Sequence, residues 1–251
     1  MAAQRRPGPP DFVGVGTQRS GTTWWFALLL DHPGIRGPKG ARKEVHFFDR
    51  FGAEEMTDAD VEAYHAHFPR RPGMLAGEWT PRYMAYQWTP EVLRRAAPEA
   101  KLLVLLRDPI ERYRSGIVHR RLRGPQRGHV TASDATERGR YASQLRHLYG
   151  VFPPEQVLVL QYERCRADAI AQYRRTLEFI GADPDYLPDE LERPRGRPIG
   201  EDKPSLMPHV ETGLHHALDD EVLEVCRMVP DLDLSLWKNF AHLTRHASPA
   251  S

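Results

Sequence analysis

The sequence predicts an α/β protein, a P-loop-like three-layer fold in which helices flank a central parallel sheet. Three observations carry that expectation. KLLVLLRDP (Lys101–Pro109) and QVLVLQYE (Gln156–Glu163) hold consecutive aliphatic residues without polar alternation, the pattern of strands covered on both faces. A shorter apolar run, DFVGVG (Asp11–Gly16), ends in a glycine-flanked loop and passes straight into a helical stretch. Helical patterns fall between the strand candidates, and that alternation argues for a doubly wound sheet.

In chain order, Asp11–Gly16 reads as a buried strand and Gly21–Asp31 as the helix that follows it. Helical patterns at 59–68 and 90–97 bracket GMLAGEWT (Gly73–Thr80), a weaker strand. After the Lys101 strand, Asp108 reads as a helix N-cap and Pro109 as the first residue of a helix reaching Arg121. A helix over Ser133–Tyr149 leads to the Gln156 strand. A further helix runs from Asp168 to Ile180, stopped by Gly181, and a last one covers Asp219–Val229. Glu190–Glu211, rich in Pro, Arg and Gly, reads as a long surface loop or lid. Ligands in such sheets sit at the carboxyl ends of the strands, which gathers residues 16–23, 80–83 and 107–115 about one crevice.

The 251 residues suffice for one domain with one sizeable core, read as 11–243 between a disordered lead (1–10) and a frayed tail (244–251). A formal net charge of +1 argues against nucleic acid as a partner, while clustered arginines leave room for a local basic cleft. Cys165 and Cys226 lack metal-ligand spacing, so neither a zinc site nor a disulfide framework is expected, and the setting reads as reducing and cytoplasmic. MAAQRRPGPP has no apolar segment of a secretory signal, and WWFALLL is far too short for a membrane span. Oligomeric state is not legible.

The chemistry starts at GTQRSGTTWW (Gly16–Trp25). A strand, a glycine-flanked loop and a helix N-terminus aim backbone N–H groups at one spot, and the helix dipole favours an anion there. Gln18, Arg19, Ser20, Gly21, Thr22 and Thr23 form this cradle, with Thr22 where a P-loop has its lysine. That lysine would grip the β/γ-phosphates of ATP, and no acidic strand end stands ready for magnesium: Glu163 and Asp108 end strands, but Asp108 is better used as a cap. The loop therefore suits a smaller anionic group. Trp24 and Trp25 read first as packing residues.

This stretch resembles the 5′-phosphosulfate loop of sulfotransferases that use 3′-phosphoadenosine-5′-phosphosulfate (PAPS). LLRDPIERYRSG supplies the second family signature, Arg107 at a strand end and Ser115 on the next helix, which by resemblance hold the 3′-phosphate. KEVHFFDRF (Lys43–Phe51) resembles the Glu-x-His-Phe-Phe segment of the heparan-sulfate type and of bacterial relatives, which makes Glu44 the base, with His46 and Asp49 in support. An alcohol needs such a group to remove its proton. On an extended segment Glu44 and His46 would share a face. His46 as a satisfied core histidine is the competing reading.

GEWTPRYM (Gly77–Met84) resembles a cleft-lining segment, which implies substrate contacts for Trp79 and Tyr83 alongside Asp49. The heparan type has lysine in place of Trp79, reaching the transferred sulfuryl group, and lysine in place of Arg19, so Arg19 becomes a candidate catalytic charge. Tyr141 matches a position facing the nucleotide, with a core tyrosine as the equal alternative, and Arg195 and Arg197 are candidates for a basic lid. The resemblance spans most of 12–240. It implies sulfuryl transfer from PAPS, without a metal, to a hydroxyl of a small-molecule, natural-product or carbohydrate acceptor, releasing adenosine 3′,5′-bisphosphate. Aromatics near the cleft (Trp24, Trp79, Tyr83, Tyr86, Trp88) tilt the acceptor toward a ring-bearing compound, in the manner of bacterial secondary metabolism. Two rivals stand beside this reading: an ATP- and magnesium-dependent small-molecule kinase, and a non-catalytic anion-binding module with no use for Glu44.

Overall fold

The computed structural model describes residues 6–40, 42–123, 132–191 and 205–244. Strand β1 (Phe12–Gly16) leads through the loop into helix α1 (Thr22–Asp31), followed by the two-residue strand β2 (Ile35–Arg36), α2 (Asp58–His65), β3 (Leu75–Trp79) and α3 (Thr89–Ala96). Strand β4 (Lys101–Leu106) feeds α4 (Pro109–Arg123), and α5 (Ala132–Glu137) and α6 (Tyr141–Val151) precede β5 (Val157–Gln161). The chain continues through α7 (Tyr162–Ala167), α8 (Ala169–Ile180) and α9 (Pro208–Met228) to short 3-10 turns at Leu234–Leu236 and Lys238–Leu243. Among the described residues the sheet is parallel throughout, in the order β2-β3-β1-β4-β5.

Strand periodicity explains the two buried faces. Leu102, Val104 and Leu106 point into one core with Val13 and Val15, under α3, α6 and α9. Leu103 and Leu105 point into the other with Phe12, Leu158 and Leu160, under α1 and α8. Successive side chains of a strand alternate in direction, so a run of five aliphatics serves both layers. Trp24 and Trp25 are buried in the second core, as their packing role predicts.

The structure departs from the sequence reading in five places. The expected helix over Ser133–Tyr149 is two, because a tight turn at Gly139 (Gly139 N–H to Thr136 O, Tyr141 N–H to Gly139 O) interrupts it. The last helix begins at Pro208 rather than near Asp219. Proline suits a first helical turn, and Leu214, Leu218, Val222 and Val225 bury one stripe. That helix takes over the end of the expected Glu190–Glu211 loop, whose residues 192–204 lie outside the described residues, as do Arg195 and Arg197. Strand β5 stops at Gln161, and Tyr162 and Glu163 open α7. Part of the expected lead is ordered, since Arg6 exchanges both backbone hydrogen bonds with Arg70.

Candidate active site

The loop between β1 and α1 is shaped by two left-handed residues, Arg19 (φ 72°) and Gly21 (φ 88°). Gly21 answers two demands: it takes a φ that costs other residues energy, and a Cβ there would lie 2.6 Å from the Tyr162 ring. The hydroxyls of Thr17 and Ser20 hold the loop down, Thr17 Oγ1 donating to Leu105 O (2.9 Å) and lying 2.6 Å from Ser20 Oγ. No side chain caps α1, so its first-turn N–H groups keep their capacity for an anion. Thr22 is buried and Thr23 exposed. Gln18 Oε1 accepts from Arg138, which the Gly139 turn brings to the loop.

Arg107 and Ser115, from the β4–α4 junction and α4, meet Arg19 of this loop. Arg19 Nε donates to Ser115 Oγ (3.2 Å), and Arg107 Nη1 donates to Arg19 O (3.2 Å). Arg19 Nη1 also lies 3.2 Å from His119 Nδ1. The Arg107 guanidinium sits over the Tyr162 ring, 4.9 Å from its centre, and faces Glu111 at 3.6 Å. Its Nε is buried without a hydrogen-bond partner, a donor that fits an incoming phosphate. Asp108 caps α4 as predicted, accepting from the N–H groups of Ile110 (3.0 Å) and Glu111 (3.1 Å).

On the other side of the loop, His46 adopts a left-handed conformation (φ 56°). Its Nε2 meets Glu44 Oε2 at 3.0 Å and its Nδ1 meets Asp49 Oδ2 at 3.1 Å, so one imidazole joins two carboxylates. Glu44 and His46 therefore meet through a turn, not across one face of an extended segment. Burial pushes the Glu44 carboxyl up, but the hydrogen bonds and charges of His46 and Lys43 outweigh it and hold it below its ordinary value. The hydrogen bond to Glu44 raises His46 above its ordinary value, and Asp49 adds to the rise against partial burial. His46 is half-exposed, so the core-histidine reading falls away.

Lys43 connects the two halves. Its Nζ donates to Thr22 Oγ1 (2.9 Å) and to Glu44 Oε1 (3.2 Å). Sequence reasoning passed over this residue, although it directly precedes Glu44.

The segment 43–47 is gripped by the end of β3 and the turn after it. Trp79 N–H donates to Lys43 O (3.0 Å). The Val45 N–H is shared between Glu78 Oε2 and Thr80 Oγ1, both at 3.0 Å, and Phe47 N–H donates to Tyr83 Oη (2.9 Å). Glu78, fully buried, also accepts from Tyr64 (2.8 Å), Thr80 (2.5 Å) and Tyr83 (3.4 Å). Burial raises its carboxyl above the ordinary value despite these donors. Glu78 and Thr80 escaped sequence reasoning because their role depends on which segment lies against β3.

Three expected ligand-facing residues turn out to be structural. Trp79 is fully buried, its indole lying against Gly14 and donating to Gly16 O (3.0 Å), and does not line a cleft. Tyr83 is equally buried and supports Phe47 and Glu78. Tyr141 is a core tyrosine whose hydroxyl donates to Arg107 O (2.9 Å), so it fixes the backbone of a site residue. Of the other aromatics, Trp24 is buried and Trp88 half-buried, whereas Tyr86, stacked on Trp88 at 4.5 Å, borders an open cleft of about 470 Å3. Met84, Arg138, Gln144 and His147 share that border, and Arg138 links the cleft to Gln18 of the loop.

Comparison with known proteins gives the family and the fold. The family model described as a sulfotransferase domain matches residues 9–194. The chain is similar to human heparan sulfate glucosamine 3-O-sulfotransferase 3B1, 28% identical over 187 residues that cover 68% of this chain and 46% of the relative. It is similar also to human bifunctional heparan sulfate N-deacetylase/N-sulfotransferase 3, 26% identical over 202 residues, covering 70% and 23% respectively. The chain thus matches about half the length, or less, of these curated relatives. Among solved structures, a sulfotransferase from Alicyclobacillus acidocaldarius superposes with a TM-score of 0.72 at 24% identity, covering 91% of this chain and 98% of that one. Mouse sulfotransferase SULT7A1 complexed with PAP has a TM-score of 0.57 at 16% identity, covering 93% and 88%. These two likenesses establish the fold. Among the described residues, no helix is long and apolar enough to cross a membrane.

Proposed function

The chain belongs to the sulfotransferase-domain family, and from that premise we propose that it transfers a sulfuryl group from PAPS to a hydroxyl of a carbohydrate or small-molecule acceptor. When bound, PAPS supplies a sulfuryl group carried on a 5′-phosphate that can leave. The uncapped amides of α1, with Thr22 and Thr23, hold that anionic end. Arg107, Ser115 and Arg19 receive the 3′-phosphate, and the unpartnered Arg107 Nε is the donor that fits it. Glu44, ionised in the resting site, takes the proton of the acceptor hydroxyl. His46, fixed between Glu44 and Asp49, orients the carboxylate and keeps it charged. The cleft beside Tyr86 and Arg138 admits the acceptor.

One observation carries this reading: the loop and the base share a single ammonium group, so Glu44 stands at the mouth of the anion cradle. The kinase alternative lacks support at the metal, because Asp108 and Glu163, the carboxylates that follow β4 and β5, are both engaged. Glu163 accepts from Asp108 N–H (3.0 Å) and Trp237 Nε1 (3.0 Å), and Asp108 accepts from Asn239 as well as capping α4.

Calorimetry with adenosine 3′,5′-bisphosphate and with ATP plus magnesium tests the proposal. The bisphosphate is expected to bind. Binding of ATP alone would overturn the reading. Glu44→Gln is expected to reduce transfer by about 100-fold or more while sparing bisphosphate affinity, as loss of a general base does. Unchanged turnover would remove Glu44 from the role, whereas bisphosphate binding with no transfer by the wild type would leave the non-catalytic alternative standing.

A further inference from the structure

We propose that Lys43 supplies, from a neighbouring segment, the cation that the loop lacks in sequence, and that it contacts the 5′-phosphate and the oxygen leaving with it. The inference rests on the sulfotransferase reading and assigns a residue within that site.

A P-loop uses its lysine as a point charge at the terminal phosphates. In this chain that position is Thr22, whose side chain is short and neutral. The Thr22 hydroxyl nevertheless accepts a hydrogen bond from an ammonium, because Lys43 Nζ lies 2.9 Å away. The charge is thus restored in space on a different element.

The other nearby candidates are engaged elsewhere. The Arg19 guanidinium turns to Ser115 and His119. Trp79 is buried, with its one polar atom on Gly16 O. Lys43 is well placed by comparison: its carbonyl is pinned by Trp79 N–H (3.0 Å), so its stem leaves the backbone from a fixed point. Its ammonium is mostly buried, where a charge acts with less screening than in water. Burial pulls its pKa below the ordinary lysine value, Glu44 opposes that pull, and the charge of Arg19 adds to it. Two cations thus face one small region, an arrangement that a doubly charged ligand relieves.

The chemistry balances without further reagents. The acceptor oxygen forms a bond to sulfur as the bond between sulfur and the bridging oxygen breaks. The electron pair of the broken bond stays on the departing 5′-phosphate. The acceptor proton passes to Glu44. Lys43 keeps its protons and donates a hydrogen bond to the oxygen on which charge grows, the kind of preorganised contact that counts most in the transition state.

The test compares two ligands that differ only in the 5′-phosphate, adenosine 3′,5′-bisphosphate and adenosine 3′-phosphate. Calorimetry on Lys43→Met is expected to weaken the bisphosphate by about 10- to 100-fold and to leave the monophosphate within about two-fold, since a charge-assisted hydrogen bond is lost at one end only. Turnover is expected to fall by about 100- to 1000-fold. Lys43→Arg retains the charge and is expected to keep most of the bisphosphate affinity, which guards against a folding artefact in the methionine variant. Equal affinities of wild type and Lys43→Met for the bisphosphate would overturn the assignment and leave Lys43 as a partner of Glu44 only. If the wild-type protein binds neither ligand, the sulfotransferase reading itself fails, a separate result.

Discussion

His46 shows how a single residue sets the chemistry of its neighbours. It carries a positive φ and touches both Glu44 and Asp49, so removing it changes two carboxylates at once. Glu44 is held below its ordinary value of 4.5 and His46 above its ordinary value of 6.5. A lowered carboxylate stabilises the fold above its unfolded pKa and loses that contribution as pH falls through the folded value. A raised imidazole stabilises below its unfolded pKa and loses that contribution as pH rises through the folded value. The pair therefore stabilises most between pH 4.5 and 6.5. His46→Ala is expected to lose most stability in that window, read from thermal denaturation against pH, and little far outside it. The same variant removes the hydrogen bond that lowers Glu44. Its kcat profile is expected to lose activity at higher pH than wild type as the medium is acidified. An acid limb that stays in place would show that His46 does not control the base.

At the scale of elements, the site is a junction between two motifs that lie far apart in sequence. The end of β3 and the turn after it supply Glu78, Trp79 N–H, Thr80 and Tyr83, which together fix the backbone of 43–47. Glu78→Ala removes the carboxylate that accepts from the buried hydroxyls of Tyr64 and Thr80, at a cost of about 1–3 kcal/mol each. A loss of about 2–4 kcal/mol is expected by chemical denaturation, together with a drop in kcat as Glu44 shifts. Affinity for adenosine 3′-phosphate is expected to hold, because Arg107 and Ser115 stand on α4 and its entry, apart from this cradle. A parallel loss of that affinity would mean that the cradle supports the whole site and not the segment of Lys43 and Glu44 alone. None of the four cradle contacts is visible in the GEWTPRYM stretch, because a buried carboxylate and a capping one read alike until the segment facing them is known.

Across the whole molecule, the C-terminal segment closes back onto the turn that carries Arg107. Asn239 donates to Asp108 from its backbone (3.1 Å) and its amide (2.8 Å), and Trp237 donates to Glu163, which in turn accepts from Asp108 N–H. Trp237→Phe keeps the ring contacts and removes the donor, leaving one oxygen of a carboxylate that burial has already raised without its partner. A loss of about 1–3 kcal/mol is expected in thermal denaturation, with a few-fold weaker bisphosphate binding by calorimetry. Unaltered stability would show that the segment merely rests on the turn. The sequence by itself determined the layered parallel sheet, the strand, loop and helix at Phe12–Asp31 and the Asp108 cap. Each of those depends on residues within one short stretch, where spacing and residue type fix local geometry. The tertiary structure decided what distance in sequence conceals. It placed Lys43 between Thr22 and Glu44, turned Arg19 toward Ser115, and withdrew Trp79, Tyr83 and Tyr141 into supporting positions. The physical reason is that a hydrogen bond across the fold depends on sheet order and side-chain direction, and both are set only when the two cores close on either face of the sheet.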